Sequence, residues 1–228
     1  MKLMLITPGI DMAAGTYEDF GIPGTIVANF LRQNKIIPEK CDLNDILFLL
    51  TPAESKEKLN RLVDALVRFE SLLDEDGPME KVLPAIYDAY EAHYEGYTIR
   101  RLCQEMHDFY KERNVSTLQG RLFEKDYLPP YAMSPRDAVG EYFRGNGELI
   151  ELKDAEGRVA LEGALPYPPG ILCIHPGERW TKTAIDYFMD LIDSINAFPG
   201  FAPEVQGVYV EDGEDGKKHA YGYVLKES

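Results

Sequence analysis

An acidic residue next to a proline is the first feature of the sequence that could do chemistry. Glu39 and Lys40 follow Pro38 and precede the apolar run ILFLLT. A proline restricts the residue before it to extended conformations, so we expect a fixed backbone at this point. A carboxylate held in one place is suited to binding an ammonium group. The same stretch is also compatible with a structural ion pair between Glu39 and Lys40 or an arginine.

A second acidic pair, Glu18 and Asp19, lies in the glycine-rich stretch TYEDFGIPG. A helix is predicted directly after this stretch, and the N-terminus of a helix attracts negative charge. We keep the pair as a candidate binding site beside two plainer interpretations, acids that stabilise the next helix and an ordinary solvated loop.

The histidines and cysteines do not form a recognisable site. The four histidines are far apart and match neither HxxxH nor HExxH, and the chain has no P-loop, GxGxxG or GxSxG motif. Three widely spaced cysteines exclude a disulfide framework and a CxxC metal site, so we interpret them as small buried hydrophobic residues. We therefore predict no metal site. The residues concerned are His93, His107, His175, His219, Cys41, Cys103 and Cys173.

The composition of the 228-residue chain excludes two classes of partner. The net charge is −15, the opposite sign from that of a protein that neutralises nucleic-acid phosphates. No run approaches the roughly 18 apolar residues of a membrane span, and the N-terminus lacks the features of a secretory signal. We predict a cytoplasmic protein with no nucleic-acid partner and no membrane partner. Its hydrophobic fraction of 45% allows a sizeable core.

The first part of the chain predicts alternating strands and helices. KLMLIT (2–7) and ILFLLT (46–51) are continuous apolar runs, typical of buried strands. Pro23 is suited to opening the helix between them, which ends near Asn34. Short strands joined by helices favour a single sheet covered by helices.

A second helix is predicted directly after ILFLLT. In TPAE, Thr51 matches the N-cap and Glu54 the third helical position of a capping box, and apolar residues recur at helical spacing as far as Leu73. The composition then changes at LLDEDGPMEKV, which indicates a domain boundary near residues 74–78.

The remainder predicts a mixture of helices and short strands. Ser134 and Pro135 are typical of the start of a helix. The stretch EDGEDGKK, between VQGVYV and HAYGYVL, indicates a β-hairpin. We interpret Tyr167 and Pro168 in LPYPPG as a rigid turn. Further helices are predicted at 98–114 and 184–198, and a strand at GELIEL.

Six blocks, spread in order over the whole chain, carry a family resemblance: TPGID with GTYEDFGIPGTIVANFLR, IIPEKCDLNDILFLLTPAES, TIRRLCQEMHDFY, MSPRDA, EGRVALEGALPYPPGILCIHPGE and FPGFAPEVQGVY. Together they resemble the C-terminal portion of the bacterial Orn/Lys/Arg decarboxylases, pyridoxal-phosphate enzymes of the aspartate-aminotransferase fold group. PEKCDLNDILFLLTPAE resembles the ornithine branch more than the lysine or arginine branches.

The resemblance implies a fold class of α/β (α+β) and two domains. Residues 1–80 are expected to form the second part of an aminotransferase-type small domain, and residues 81–228 the C-terminal α+β domain. Family members are about three times longer than this chain. The remaining decarboxylase polypeptide is therefore the expected partner, together with a homodimer or a higher homo-oligomer.

The resemblance also implies pyridoxal phosphate in the full-length enzyme. The family's Schiff-base lysine follows a histidine in a Ser/Thr-x-His-Lys setting, whereas no lysine here follows a histidine, and Lys217, Lys218 and His219 stand in the reverse order. We therefore expect no catalytic residue in this chain, no cofactor bound to it alone, and no activity without the upstream part. The chain is then either a truncation or the product of a split gene.

The same resemblance gives the acidic residues a role. Glu39 falls on the family's glutamate that receives the distal amine of the substrate, and Glu18 and Asp19 lie near active-site loops. The implied reaction of the full-length enzyme is the decarboxylation of ornithine to putrescine.

Three alternatives stay open. The chain could belong to a lysine or arginine decarboxylase instead. It could serve as a non-catalytic oligomerisation or regulatory module, since it has 14 tyrosines and tyrosine is enriched at interfaces. An unrelated protein that binds small cations is the third interpretation, and it rests on the acidity alone.

Overall fold

The chain forms two compact units, each with helices and antiparallel strands. The computed structural model describes residues 1–11, 14–167 and 170–227. The units are Met1–Glu112 and Arg113–Ser228. This mixture of helix and sheet confirms the predicted fold class.

Residue 80, where the sequence analysis ends the first domain, lies inside the first unit. The chain around Gly77 bonds to the segment at residues 97–99: the N–H of Ile99 donates to the carbonyl of Gly77 over 2.9 Å, and the N–H of Met79 donates to Tyr97 over 2.9 Å. These bonds join the chain at residues 77–79 to the start of the helix at Ile99–Glu112.

The first unit is built on a small antiparallel sheet of order β1-β5-β4. Met4 of β1 stands opposite Leu47 of β5, which stands opposite Lys40 of β4. The elements are β1 (Lys2–Ile6), β2 (Ile10–Asp11), β3 (Thr16–Tyr17), α1 (Gly24–Gln33), β4 (Lys40–Cys41), β5 (Asp45–Leu49), α2 (Lys56–Asp74), α3 (Met79–Val82), α4 (Pro84–Ala89), α5 (Glu91–Tyr94) and α6 (Ile99–Glu112).

Strand β1 is confirmed, but the prediction that it is buried is wrong. Met4 and Ile6 are 55% and 57% exposed. β1 lies at one edge of the sheet, so its alternate side chains lack cover within the described structure. By contrast, β5 is central, and Ile46, Leu47 and Phe48 are buried as predicted.

Helix α1 begins and ends where the sequence indicates. Pro23 is its N-cap and Asn34 its C-cap, and Ile26 and Phe30 are among the residues that bury its apolar face. Phe30 meets Phe69 of α2 edge to face, with ring centroids 5.3 Å apart. This aromatic contact packs the two helices together.

The predicted start of α2 is wrong by four residues. Its N-cap is Ser55, whose hydroxyl accepts a hydrogen bond from the N–H of Lys58 over 3.2 Å. Thr51 Oγ1 does contact Glu54 Oε1 at 3.3 Å, but this pair lies in the turn before the helix. A serine with a free N–H three residues later is as good a cap as threonine.

The second unit is built on a sheet of order β6-β10-β9, with β7 and β8 forming a separate ribbon. Helix α9 contributes seven buried residues, and its Phe188 meets the ring of Trp180 edge to face at 5.9 Å. The elements are α7 (Val115–Arg121), α8 (Pro135–Phe143), β6 (Gly147–Glu151), β7 (Leu165–Tyr167), α9 (Lys182–Ala197), β8 (Glu204–Gln206), β9 (Tyr209–Asp212) and β10 (Lys218–Leu225).

Local signals in this unit predicted its elements well. Ser134 caps α8 by accepting a hydrogen bond from the N–H of Asp137 over 3.1 Å. β9 and β10 pair as the predicted hairpin, with Ala220 opposite Val210. Pro168, half of the predicted rigid turn, lies outside the described residues. Across the part of the chain that the structure describes, no helix has the length and hydropathy to cross a bilayer.

Candidate functional site

Glu39 sits on a fixed stretch of backbone at the start of β4. Pro38 before it is buried, and the N–H of Glu39 donates to the carbonyl of Leu47 on β5 over 2.8 Å. The sheet therefore holds the Cα of Glu39 in place, while the side chain keeps 30% of its surface exposed. The position offers a carboxylate that is anchored at its base and open at its tip.

Among the residues that the structure describes, the cation next to Glu39 is Lys2, not Lys40 or an arginine. Lys2 Nζ lies 3.8 Å from Glu39 Oε1, and the lysine side chain is 62% exposed. An ion pair this exposed contributes at most about 1 kcal/mol. Another cation can therefore displace Lys2 at little cost.

Glu18 and Asp19 are both exposed, and Glu18 is built into its own loop. The N–H of Gly9 donates to Glu18 Oε2 over 3.1 Å, and the N–H of Glu18 donates to the carbonyl of Gly9 over 2.9 Å. One carboxylate oxygen of Glu18 thus has a backbone partner. Asp19 Oδ1 lies 3.5 Å from Lys111 Nζ at the protein surface.

Three side chains of helix α6 hold the acidic loop, the segment that carries Glu18 and Asp19. The sequence analysis did not predict their role. His107 Nε2 and Lys111 Nζ each lie 2.9 Å from the carbonyl oxygen of Glu18, and Gln104 Nε2 donates to the carbonyl of Asp19 over 2.9 Å. A carbonyl oxygen only accepts, so Nε2 of His107 carries the proton. The spacing of 104, 107 and 111 puts these side chains on one helix face, which was the available signal.

The ring of His107 fits against a glycine of the loop. A Cβ placed on Gly21 would lie 2.7 Å from ring atoms Cγ and Cε1 of His107. The ring is 1% exposed and meets Tyr17 edge to face at 5.6 Å. Only glycine leaves room for this packing. The contact between Gly21 and His107 therefore fixes the distance between the loop and α6.

Asn44 ties the two ends of the same loop together. It is 6% exposed, and its Nδ2 donates to the carbonyl of Pro8 over 2.8 Å and to that of Ile22 over 3.3 Å. Thr7 Oγ1 also donates to the Ile22 carbonyl. The segment from residue 7 to residue 22 is therefore closed by side-chain bonds at its base.

The structure does not join the two predicted acidic positions directly. Within the described residues, no hydrogen bond or ion pair links Glu39 to Glu18 or Asp19. All three belong to the first unit. The unit thus presents two separate acidic positions, one on the sheet and one on the loop.

The cysteine and lysine side chains of the chain give little support to nucleophilic chemistry. Burial raises the pKa of the Cys103 and Cys173 thiols to about 12, so both stay protonated. Burial also raises the pKa of Cys41. All lysines of the chain are at least partly exposed. In the described ranges, no three His, Cys, Asp or Glu side chains come together in a way that could hold a metal ion.

The lysines also do not fit a covalently held pyridoxal group. Such a lysine needs burial to lower its pKa and free its amine. Here carboxylate partners act in the opposite direction: Glu151 raises the pKa of Lys153, and Asp186 raises that of Lys182. No step through that cofactor can be assigned to residues of this chain.

Two family models match the chain. The model described as Orn/Lys/Arg decarboxylase, major domain, matches residues 1–58, and the model described as Orn/Lys/Arg decarboxylase, C-terminal domain, matches residues 116–226. Together they cover well over half of the sequence.

Curated relatives agree with the models. The inducible ornithine decarboxylase of Escherichia coli is 57% identical over 99% of this chain and 31% of its own length. The constitutive ornithine decarboxylase of the same organism is 55% identical over 99% of this chain and 32% of its own length. A lysine decarboxylase of Hafnia alvei is 37% identical over 95% of this chain and 29% of its own length. The chain thus spans a little under one third of the relatives it matches.

Solved structures agree as well. Lysine decarboxylase A from Pseudomonas aeruginosa superposes with a TM-score of 0.91 at 34% identity, covering 99% of this chain and 30% of that one. The constitutive lysine decarboxylase of E. coli superposes with a TM-score of 0.89 at 32% identity, again over 99% of this chain and 31% of that one. The chain therefore belongs to the Orn/Lys/Arg decarboxylase family, and it corresponds to part of the major domain followed by the C-terminal domain.

Proposed function

We propose that this chain is part of a decarboxylase that converts ornithine to putrescine. One observation carries the choice of substrate. The chain is 55–57% identical to four curated ornithine decarboxylases but 34–37% identical to three curated lysine decarboxylases. A fragment of a lysine or arginine decarboxylase is the alternative.

The proposal assigns the cofactor to the part of the polypeptide outside this chain. Pyridoxal phosphate supplies the electron sink for decarboxylation when it is bound. No lysine here follows a histidine, and none is buried. The isolated chain is therefore expected to be inactive and to bind no cofactor.

In this proposal Glu39 receives the distal ammonium group of the substrate. Ornithine carries two ammonium groups and one carboxylate, so its far end needs a negative partner at a fixed reach. Glu39 has a backbone tied to β5 and a carboxylate that has the exposed Lys2 beside it. A charge-assisted hydrogen bond to such a carboxylate is roughly twice as strong as a neutral one.

Glu18 and Asp19 have a less direct role in the proposal. The carboxylate of Glu18 already accepts the N–H of Gly9, so its part is to shape the loop. Asp19 points into solvent beside Lys111 and is the more available of the two for a cationic ligand. Helix α6 positions both residues through their backbone carbonyls.

A fusion protein tests the substrate and the role of Glu39. This chain replaces the matching segment of the E. coli inducible ornithine decarboxylase, and release of CO2 is measured with ornithine and with lysine. We expect a preference for ornithine, and a loss in kcat/KM of roughly 10- to 100-fold on Glu39→Gln, the effect of one hydrogen bond to a charged group. Glu70→Gln, on the exposed side of α2, is the matched control.

Two results would contradict this proposal. A preference for lysine would refute the substrate, and equal activity of wild type and Glu39→Gln would remove Glu39 from the site. A cofactor absorption band that appears on this chain alone, and that a single lysine substitution abolishes, would refute its dependence on the rest of the polypeptide.

A second function, assembly, is favoured by an apolar stripe on α2. Leu59, Val63 and Val67 follow one another at helical spacing and are 38%, 56% and 54% exposed. We propose that the rest of the decarboxylase polypeptide covers this stripe, and that the full-length protein is a homodimer or higher homo-oligomer. Light scattering of the fusion protein with and without Val63→Glu tests this: unchanged mass and activity would argue against it.

We also propose a cytoplasmic location. All three cysteines are free thiols, and two of them are buried. Free buried thiols are typical of proteins from reducing compartments.

A further inference from the structure

The second unit contains a cleft, whereas the acidic positions described above belong to the first unit. It has a volume of about 830 Å³, within the range typical of ligand sites. Val139, Tyr142 and Phe143 of α8 form one wall, and the chain from Val205 to Val210 forms the other. Glu162 and Gly163 also line it.

The cleft has a floor that the backbone builds. Gly207 has φ +72, and a Cβ placed on it would lie 2.8 Å from the carbonyl carbon of Gly163. The two chain segments therefore touch where a side chain would keep them apart. Residue 207 must be glycine both for this approach and for its left-handed backbone.

Aromatic rings stand on both sides of the cleft. The ring of Tyr223 meets two lining rings edge to face, that of Tyr142 at 5.2 Å and that of Tyr209 at 5.5 Å. Phe143 projects from α8 and is 81% exposed. A ring with an open face attracts a cation as well as an apolar chain. Tyr142 and Tyr209 are thus each in contact with a third ring, while Phe143 is open to solvent.

The carboxylate of Glu162 lies among the mostly apolar residues that line the cleft. Among the described residues that line the cleft, Glu162 has the ionised side chain, and no Lys, Arg or His accompanies it. Tyr209 OH donates to Glu162 Oε2 over 2.7 Å, and this bond raises the pKa of Tyr209 to about 12, so the phenol remains a donor. In the described structure no hydrogen bond uses the second oxygen of Glu162.

We propose that this cleft binds a small aliphatic amine in its ammonium form. The ammonium group donates to Glu162, and the alkyl chain lies along Tyr142 and Phe143. A neutral ligand would gain no charge-assisted hydrogen bond from the carboxylate, and an anion would be repelled by it. The proposal rests on the geometry of the second unit and does not depend on the proposed decarboxylase function.

The test is a titration of the whole chain at pH 7 and constant ionic strength, followed by amide NMR. Three ligands share one alkyl chain and differ in charge: hexylammonium, 1-hexanol and hexanoate. We expect hexylammonium to shift signals from residues 161–163 and 205–210, with affinity about tenfold higher than that of hexanol, and hexanoate to leave them unchanged.

Three variants separate the carboxylate from its surroundings. Glu162→Gln should weaken hexylammonium binding by about tenfold or more and leave hexanol unaffected. Tyr209→Phe keeps the carboxylate and should retain binding. Glu214→Gln, an exposed acid in the turn between β9 and β10, is the control for general attraction to the net charge of −15.

Several outcomes would overturn the inference. Equal affinities for hexanol and hexylammonium would show an apolar groove with no use for Glu162. Equal losses for Glu162→Gln and Glu214→Gln would show attraction to the net charge alone. If Glu162→Gln loses its dispersed spectrum, the three ligands on wild type decide the matter, because their order of affinity needs no variant.

Discussion

The contact between Gly21 and His107 can be tested with one added methyl group. In Gly21→Ala, the new Cβ would lie 2.7 Å from ring atoms Cγ and Cε1 of a histidine that is 1% exposed. Overpacking of this kind costs about 1–3 kcal/mol. If the ring moves aside, its N–H loses the Glu18 carbonyl, and a buried donor without a partner costs about 1–3 kcal/mol more. We expect a total loss of about 2–6 kcal/mol.

The assay is urea unfolding followed by the amide NMR signals of each unit separately, because a chain with two units need not unfold in one step. Gly120→Ala is the matched control. Nothing lies within 4 Å of its added Cβ, and it sits inside α7, so alanine should be neutral or stabilising by up to about 1 kcal/mol.

A double variant decides whether the ring causes the effect. In a His107→Ala background the space beside residue 21 is empty, so Gly21→Ala should add little further loss. The reasoning is refuted if Gly21→Ala costs less than about 0.5 kcal/mol, the size of an ordinary surface change, or if its cost is the same with and without the histidine.

Three further outcomes can be measured. Ser55→Ala should lower the free energy of unfolding by about 1 kcal/mol and Thr51→Ala by much less, because Ser55 caps α2; equal losses in urea melts would restore the original capping assignment. Burial raises the pKa of Asp190 to about 6, so the folded state binds a proton more tightly than the unfolded state. Its contribution to stability therefore falls as pH rises from about 4 to 6, by at most about 3 kcal/mol; Asp190→Asn should remove this slope in thermal melts and be the more stable form at pH 7. Cys103 should resist a thiol reagent at pH 8 and react in urea, since burial raises its pKa to about 12; rapid labelling of the native chain would contradict this.

Short sequence patterns predicted the helix ends and the turn that depend on neighbouring residues alone. Pro23 and Asn34 bound α1, Ser134 caps α8, and the turn between β9 and β10 forms where glycine and acidic residues cluster. Two caps of similar quality near α2 could not be ranked, because the choice depends on how the chain leaves β5. The exposure of β1 could not be predicted either, since an apolar run does not reveal whether a neighbour covers it.

Only part of the candidate site could be predicted from the sequence, because the other part depends on contacts between residues far apart in the chain. Pro38 and Glu39 are adjacent, and a rigid carboxylate could be inferred from them. The support for Glu18 comes from α6, and no local pattern links His107 to a loop 89 residues earlier. Gly21 gave no signal of its own, because its need for space arises from that distant ring.

The long separation between Glu18 and His107 sets an order of events during synthesis on the ribosome. Strands β1 and β5 and helix α1 can assemble as soon as residue 50 or so has emerged. The acidic loop cannot take its final shape until α6 has been made, because Gln104, His107 and Lys111 supply the bonds to its carbonyls. A nascent chain halted before residue 104 should therefore contain the paired strands β1 and β5 but not the folded loop. The loop is then among the last parts of the first unit to fold.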